Sequence, residues 1–188
     1  MRKIIYLVHT SVDGFIEGPA GEFDWPVMGP ELSADVRGLD ERVDTFLYGR
    51  VVWEMMAGFW PQAESLSDSP HVRYFAPIWR SKPKVVVSRT LPEPEPGSDV
   101  TVLRGDPATE IAALKAAPGK DILLTGGTEL ASALAAEGLI DEYLIFVHPV
   151  VLGGGRRLFL HQRERAALEL TESRTLDGRV VAMRYLRA

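Results

Sequence analysis

The sequence predicts an α/β fold in which a mainly parallel central sheet carries an antiparallel hairpin at its C-terminal end. Short apolar, β-branched runs such as Ile4 to Val8 alternate with helix-like segments over the first three-quarters of the chain, as in parallel sheets buried on both faces. Near the C-terminus, two strand-like runs flank Asp177-Gly178, a strong signal for a β-hairpin. The length of 188 residues predicts a single domain, residues 1–188.

Composition narrows the class of protein. The chain is 46% hydrophobic and 25% charged, as expected of a soluble globular protein. Its net charge of −5 argues against broad binding to nucleic acid or to a membrane, and its N-terminal apolar run is too short to span a bilayer. The lack of cysteine excludes disulfides and thiolate chemistry and indicates a cytoplasmic protein. No metal site is predicted, because the four histidines lack ligand spacing: His9, His71, His148 and His161.

Apolar runs bounded by glycine, proline or polar residues predict the strands. In chain order they cover residues 4–8, 45–49, 84–88, 100–105, 122–125, 142–152, 167–173 and 179–186. Residues 13–25 are rich in glycine and acidic side chains, and residues 91–99 are rich in proline, so both are predicted loops. Residues 60–84 carry several prolines and are predicted to be mostly irregular.

Boundary signals and apolar spacing predict four helices between these strands. Leu32 and Val36 begin a series of apolar residues spaced like one helix face. Asp106 is a suitable N-cap, Pro107 suits the first helical position, and Gly138 suits a helix end. In chain order the helices cover residues 31–43, 50–59, 106–117 and 127–137.

A pair of glycines, Gly126 and Gly127, stands between a predicted buried strand and a predicted helix. Ligands of open α/β sheets bind beyond the carboxyl ends of the strands. Bare backbone followed by the N–H groups of a helix start suits a phosphate or pyrophosphate. The alternative is a tight turn that needs positive φ, and the pair alone does not decide between them.

Two other strand ends carry arginines. Gly49-Arg50 follows one predicted strand and Ser88-Arg89 follows another, so parallel strands would place them on the same edge as the glycine pair. Arginine matches phosphate bidentately, although each arginine alone is more typical of a solvated surface. There is no G-x-G-x-x-G fingerprint, and basic residues at the adenosine end favour NADP(H) over NAD(H).

At this point the sequence resembles the dihydrofolate-reductase-like superfamily, and within it the riboflavin-biosynthesis reductase (RibD C-terminal domain) branch. The matching stretches cover nearly the whole chain in order: SVDGFI (11–16), TFLYGRVVWE (45–54), KVVVSRTL (84–91), the block 123–159 and the closing hairpin. The resemblance implies a sheet of about eight strands flanked by helices, and it makes a homodimer a reasonable expectation.

The resemblance also implies where NADPH binds. Gly49 and Arg50 would meet the pyrophosphate or the 2′-phosphate, and Ser88 and Arg89 the phosphate of the adenosine. The segment Gly126, Gly127 and Thr128 would hold the pyrophosphate at the helix start. These assignments follow from the matching motifs.

The nicotinamide and substrate side follows from the same resemblance. The backbone around His9 and Ile16 would flank the nicotinamide, and Gly154 lies in a glycine run that would close over the reducible ring. Asp13 matches the acid of the S-x-D-G loop and is the candidate for anchoring the substrate or relaying a proton, with an Asx-turn as the alternative. Trp25 could line a planar substrate pocket, with core packing as the alternative.

The chain departs from folate reductases at two places. Val52 stands where they have a threonine, and the carboxylate that helps to protonate the pterin has no clear match, since Glu31 and Asp35 are out of register. The strand-end residues and the resemblance together predict an NADPH-dependent reductase of a small heterocyclic or carbonyl substrate, pyrimidine-like or pterin-like, that acts by direct hydride transfer. The alternative is a non-catalytic module that binds or senses NADP(H).

Overall fold

A computed structural model of the protein describes residues 1–160 and 165–188, so His161 lies outside the described residues. The strands are, in chain order, β1 (Ile4–Ser11), β2 (Phe15–Glu17), β3 (Val43–Gly49), β4 (Lys84–Val87), β5 (Val100–Leu103), β6 (Asp121–Thr125), β7 (Glu142–His148), β8 (Arg156–Arg157), β9 (Leu168–Leu176) and β10 (Val180–Arg187). The α-helices are α1 (Pro30–Arg37), α2 (Arg50–Phe59), α3 (Ala63–Leu66), α4 (Pro70–Ser81), α5 (Pro107–Ala116) and α6 (Thr128–Ala136).

The central sheet is mainly parallel, which confirms the predicted α/β class. Within the described ranges, eight strands form one sheet in the order β5-β4-β3-β6-β1-β7-β10-β9, and β2 pairs separately with β8. The first six strands of this order run in the same direction, whereas β10 is antiparallel to β7 and β9 is antiparallel to β10. The six parallel strands therefore end at one edge, called here the carboxyl edge, at Leu103, Val87, Gly49, Thr125, Ser11 and His148.

Helices cover both faces of the sheet, and each face has its own apolar core. On the α6 face, Ile4 and Tyr6 of β1 pack with residues of α5 and α6. On the α1 face, Ile5 and Leu7 pack with residues of α1, α2 and α4. This alternation follows from the period of two along a strand, and burial on both faces explains the continuous apolar runs. No helix in the described part of the chain is long and apolar enough to cross a membrane.

Asp177 closes the C-terminal hairpin and also caps helix α1. Asp177 and Gly178 have φ values of 53° and 63°, the left-handed backbone that an Asp-Gly turn uses. The Asp177 carboxylate accepts hydrogen bonds from the amides of Glu31 and Leu32 at 2.9 and 3.1 Å. The predicted hairpin is confirmed, and its turn also satisfies amides at the start of α1 that would otherwise lack partners.

The expectation of irregular structure over residues 60–84 is wrong. This stretch contains a 3-10 turn, the short α3 and the 12-residue α4. Pro70 lies in the first turn of α4, where a missing N–H is tolerated, and Pro77 lies inside the helix. The helix forms because the free energy gained by packing α4 against the core is larger than that of the backbone hydrogen bond that Pro77 removes. The buried residues of α4 are Val72, Ala76 and Trp79.

Other elements also differ from the sequence prediction. Helix α1 ends early, at Arg37, because the glycine that follows, Gly38, is a poor helix former. Strand β7 stops at His148, because Pro149 has no N–H to donate to the sheet. Phe15–Glu17 lies inside the predicted loop but forms a strand because it pairs with the distant β8.

Candidate active site

The predicted site residues lie along the carboxyl edge of the sheet. Across the sheet, Arg89 follows β4, Arg50 follows β3, Gly126-Gly127 follow β6, and Asp13 follows β1. Neighbouring strands are about 4.8 Å apart, so the ends of β4 and β1 are separated by roughly 14 Å. The fold thus brings residues that are distant in the sequence to one edge of the sheet.

Gly126 and Gly127 form the turn between β6 and α6. Both have positive φ, 55° and 66°. The tight turn that was the alternative interpretation of the glycine pair is therefore present. A Cβ built on Gly127 would lie 3.2 Å from Cγ2 of Val52 in the first turn of α2, and one on Gly126 would lie 3.7 Å from it. The amide of Gly126 donates to the carbonyl of Leu7 at 3.0 Å. The turn is therefore held against two neighbouring elements and leaves bare backbone at the start of α6.

The start of α2 lies close to the start of α6. A Cβ built on Gly49, the N-cap of α2, would lie 3.7 Å from the Cβ of Leu130 in α6. Arg50 is the first residue of α2, and its exposed guanidinium pairs with Glu54 at 2.9 Å. Thr128, the first residue of α6, is buried, and its Oγ1 has no hydrogen-bond partner among the described residues. Arg50 and the glycine turn thus lie on the same part of the carboxyl edge.

Ser88 and Arg89 line a cleft of about 500 Å³ between the ends of β4 and β5. The hydroxyl of Ser88 accepts hydrogen bonds from the amides of Thr90 and Leu91 at 3.2 and 3.0 Å, so it shapes the turn that carries Arg89. Arg104 follows β5 and lines the same cleft. The sequence analysis misses Arg104 because it places this residue inside the predicted strand 100–105, whereas β5 ends at Leu103.

Asp13 holds the segment that follows β7. Its two carboxylate oxygens accept hydrogen bonds from the amides of Leu152 at 3.1 Å and Gly153 at 2.8 Å. A hydrogen bond from Ser11, followed by those two amides, lowers the pKa of Asp13 to about 2. Asp13 is therefore ionised at neutral pH and is tied to the glycine run of residues 153–155.

The glycine run packs against the end of β2. A Cβ built on Gly154 would lie 3.5 Å from Cγ of Pro19, and one on Gly155 would collide with the carbonyl oxygen of Glu17. Gly155 has a φ of 118°. The next residue, Arg156, pairs with the Glu17 carboxylate at 2.7 Å. The close approach of the two backbones explains why glycine occupies position 155.

His9 and His148 contact each other at the ends of β1 and β7. Nδ1 of His9 lies 2.8 Å from Nε2 of His148. The Trp25 ring packs edge-on against His148, with centroids 5.5 Å apart, and the centroid of Phe23 lies 6.4 Å from that of His9. Sequence spacing could not show this contact, because only the pairing of β1 with β7 brings the two rings together.

Both imidazoles of this pair are neutral at pH 7. Burial, with a smaller effect of His148, lowers the pKa of His9 to about 3. Burial, with a smaller effect of the Arg179 charge, lowers the pKa of His148 to about 4. Among residues 1–160 and 165–188, no three His, Asp or Glu side chains are grouped so that they could hold a metal ion.

His9 and Ile16 have their side chains on opposite faces of the sheet. The His9 ring stacks on Phe146, which belongs to the α1-face core, at a centroid distance of 5.2 Å. Ile16 packs into the α6-face core. In the family resemblance it is the backbone around these two residues, and not their side chains, that would flank the nicotinamide.

Comparison with known proteins identifies the family. The family model for the RibD C-terminal domain matches residues 2–182. The chain belongs to this family. Over 184 residues, 98% of this chain and 94% of the other, it is 35% identical to YyaP of Bacillus subtilis (strain 168), a protein described as uncharacterized.

Solved structures share the fold of this RibD C-terminal domain. A Shewanella sp. PV-4 protein named for riboflavin biosynthesis superposes with a TM-score of 0.77 at 28% identity, covering 99% of each chain. A diaminohydroxyphosphoribosylaminopyrimidine deaminase/5-amino-6-(5-phosphoribosylamino)uracil reductase from Thermotoga maritima gives a TM-score of 0.68 at 14% identity, and this chain covers 57% of it. The predicted dihydrofolate-reductase-like fold is confirmed.

In this RibD C-terminal domain the acidic side chains of α1 contact the C-terminal hairpin. Glu31 accepts a hydrogen bond from the amide of Asp177, and Asp35 pairs with Arg174. These contacts give both carboxylates a structural use, consistent with their lack of register with the folate-reductase acid.

Proposed function

We propose that this protein is an NADPH-dependent reductase that transfers hydride directly to a small heterocyclic or carbonyl substrate. The observation that carries the proposal is the order of groups along the carboxyl edge. Arg89, Arg50 and the glycine turn occupy one part of the edge, and the neutral pair of His9 and His148 occupies the other. Membership of the RibD C-terminal domain family supports a reductase, and the Thermotoga maritima neighbour is a reductase by name.

The phosphate groups of NADPH would be held at the basic end of the edge. The amide of Gly127 and those of the first turn of α6 lie at the positive end of the α6 dipole, whereas the Gly126 amide is bonded to Leu7 and shapes the turn. Arg50 stands beside this turn, and Arg89 and Arg104 share one cleft. Two arginines that line this cleft favour a 2′-phosphate, and hence NADPH over NADH, although the Arg104 guanidinium also pairs with Glu93 at 2.9 Å.

NADPH, when bound, supplies a hydride from its nicotinamide ring. The residues of this chain orient the reactants and exclude water from the end of β1. Asp13, ionised at neutral pH, fixes the 153–155 run on one side, and Phe23 and Trp25 cover the histidine pair on the other. We therefore assign Asp13 to anchoring the substrate and the glycine run rather than to donating a proton.

Titration with NADPH, followed by quenching of tryptophan fluorescence, tests the cofactor assignment. We expect saturable binding, with NADH binding more weakly. Absence of binding up to millimolar NADPH contradicts the proposal.

The alternative function is an NADP(H)-binding or sensing module without turnover. Val52 favours it, because an apolar side chain packs on the glycine turn where folate reductases have a threonine. Loss of NADPH absorbance in the presence of pterin, folate or ribosylaminopyrimidine substrates distinguishes the two functions. Tight cofactor binding with no oxidation by any of these substrates supports the sensor.

A further inference from the structure

The histidine pair lies where the reductase proposal puts the substrate. It combines the end of β1, the end of β7 and the aromatic side chains of Phe23 and Trp25. His148 is 1% exposed, whereas His9 is only partly buried. One ring is therefore enclosed and the other reaches the surface of the carboxyl edge.

The hydrogen-bond pattern of the pair selects one tautomer. Nδ1 of His148 is buried without a partner among the described residues, while its Nε2 faces Nδ1 of His9. A buried N–H without an acceptor is rarer than a buried acceptor without a donor, so the proton of His148 belongs on Nε2.

This choice fixes the state of His9. If Nε2–H of His148 donates to Nδ1 of His9, the proton of the neutral His9 ring must be on its own Nε2. Nε2 of His9 has no partner in the described part of the chain. A single N–H donor, oriented by the ring behind it, is thus offered at the end of β1.

We propose that His9 is a specificity-determining residue whose Nε2–H donates a hydrogen bond to an uncharged acceptor, a lactam carbonyl oxygen or a ring nitrogen, on a planar substrate. His148 is the positioning residue that sets the tautomer of His9. The inference rests on the proposed function, because it identifies the class of substrate that the same site takes.

The chemistry of a neutral imidazole limits what His9 does. A neutral N–H can polarise a carbonyl or imine that receives hydride, but it is too weak an acid to give up its proton at pH 7. The proton that completes the reduction therefore comes from water or from another group. A neutral donor also lacks the charge that would select a carboxylate.

Nitrogen-detected NMR of protein labelled with ¹⁵N-histidine tests the tautomer. The ring signals of His9, assigned from a His9→Gln variant, should show a neutral Nε2–H form that does not titrate between about pH 5.5 and 8. In His148→Phe, which removes the donor to Nδ1, the His9 signals should change to a mixture of tautomers. A wild-type His9 that is cationic at pH 7, or that carries its proton on Nδ1, overturns the inference, as does an unchanged tautomer in His148→Phe.

Binding of pterin, a planar ring with a lactam carbonyl, tests the acceptor. At about pH 6.5, His9→Leu should weaken pterin binding about tenfold, because the donor is lost. His9→Gln should stay near wild type, since its side-chain amide can replace the Nε2–H donor. The matched control is His71→Gln, at a histidine that contacts Ser33 rather than the carboxyl edge, and it should bind like wild type.

The outcomes separate this inference from the proposed function. Equal pterin affinity of wild type and His9→Leu, or no pterin binding by wild type, overturns the role of His9 even if NADPH binds normally. If the wild-type protein does not bind NADPH, the reductase proposal fails. The NMR measurement of the His9 tautomer and the pterin titration still decide the role of His9.

Discussion

Gly127 and Val52 lie so close that a Cβ at position 127 would be 3.2 Å from Cγ2 of Val52, a contact that Val52 would have to relieve by moving a few tenths of an ångström. The φ of Gly127 is also 66°, which other residues adopt at a cost. The contact joins the start of α6 to the start of α2, the two helix starts assigned to the phosphates of NADPH.

Gly127→Ala should therefore lower both stability and cofactor affinity. We expect a loss of roughly 1–2 kcal/mol in the free energy of unfolding and clearly weaker NADPH binding, measured by urea denaturation and fluorescence titration. Gly97→Ala is the matched control, because Gly97 has a φ of 82° and no atom within 4 Å of its added Cβ. The control should lose stability but keep NADPH affinity. Equal affinity in both variants contradicts the assignment of the glycine turn.

Arg50→Gln should weaken NADPH binding about tenfold with little effect on the melting temperature. The ion pair of Arg50 with Glu54 is exposed, and such pairs contribute little to stability. Wild-type affinity should fall as salt is raised, and the variant should show a smaller dependence. Arg73→Gln, which removes an even more exposed pair with Asp68, should leave binding unchanged. A salt dependence identical to wild type in Arg50→Gln argues against a phosphate contact.

Arg89→Ala should reduce the preference for NADPH over NADH. Arg89 and Arg104 line the cleft assigned to the 2′-phosphate, and NADH has no phosphate there. Dissociation constants for both cofactors measure the effect, with Arg80→Ala as a control on α4, where the guanidinium pairs with Glu64. If Arg89→Ala weakens NADH and NADPH by the same factor, the cleft is not the 2′-phosphate site.

Asp13→Asn should destabilise the protein only at pH values at which Asp13 of the wild type is ionised. The folded-state pKa of Asp13, about 2, lies below its ordinary value of 3.8. Its stabilising effect is thus fully present above about pH 4 and is lost as the pH falls from there towards 2. The difference in urea midpoint between wild type and variant should narrow over that range. Asp24→Asn, in an exposed loop, is the control, and a difference that stays constant with pH would contradict the assigned contacts with Leu152 and Gly153.

Local patterns were sufficient to predict most of the sheet and the position of the basic residues along its carboxyl edge. The strands are short apolar runs, and the Asp177-Gly178 turn has a conformation that few other dipeptides adopt. Arg50, Arg89 and the glycine pair were found because each follows a predicted strand. Parallel pairing then requires that they share an edge, whatever the order of the strands.

Other features depend on contacts between distant segments. Helix α4 is stable despite Pro77, because Trp79 and its neighbours pack into the core. Strand β2 exists because β8 pairs with it. No local pattern contains this information, since the energy of each feature comes from a partner far away in the chain.

The sequence by itself determined the α/β class, the C-terminal hairpin and the residues that end the parallel strands, because hydrophobic period and turn chemistry act over a few neighbouring residues. The tertiary structure alone decided which strand ends are neighbours. It placed His9 against His148 and Arg104 beside Arg89, because strand order is set by how the helices and strands pack together.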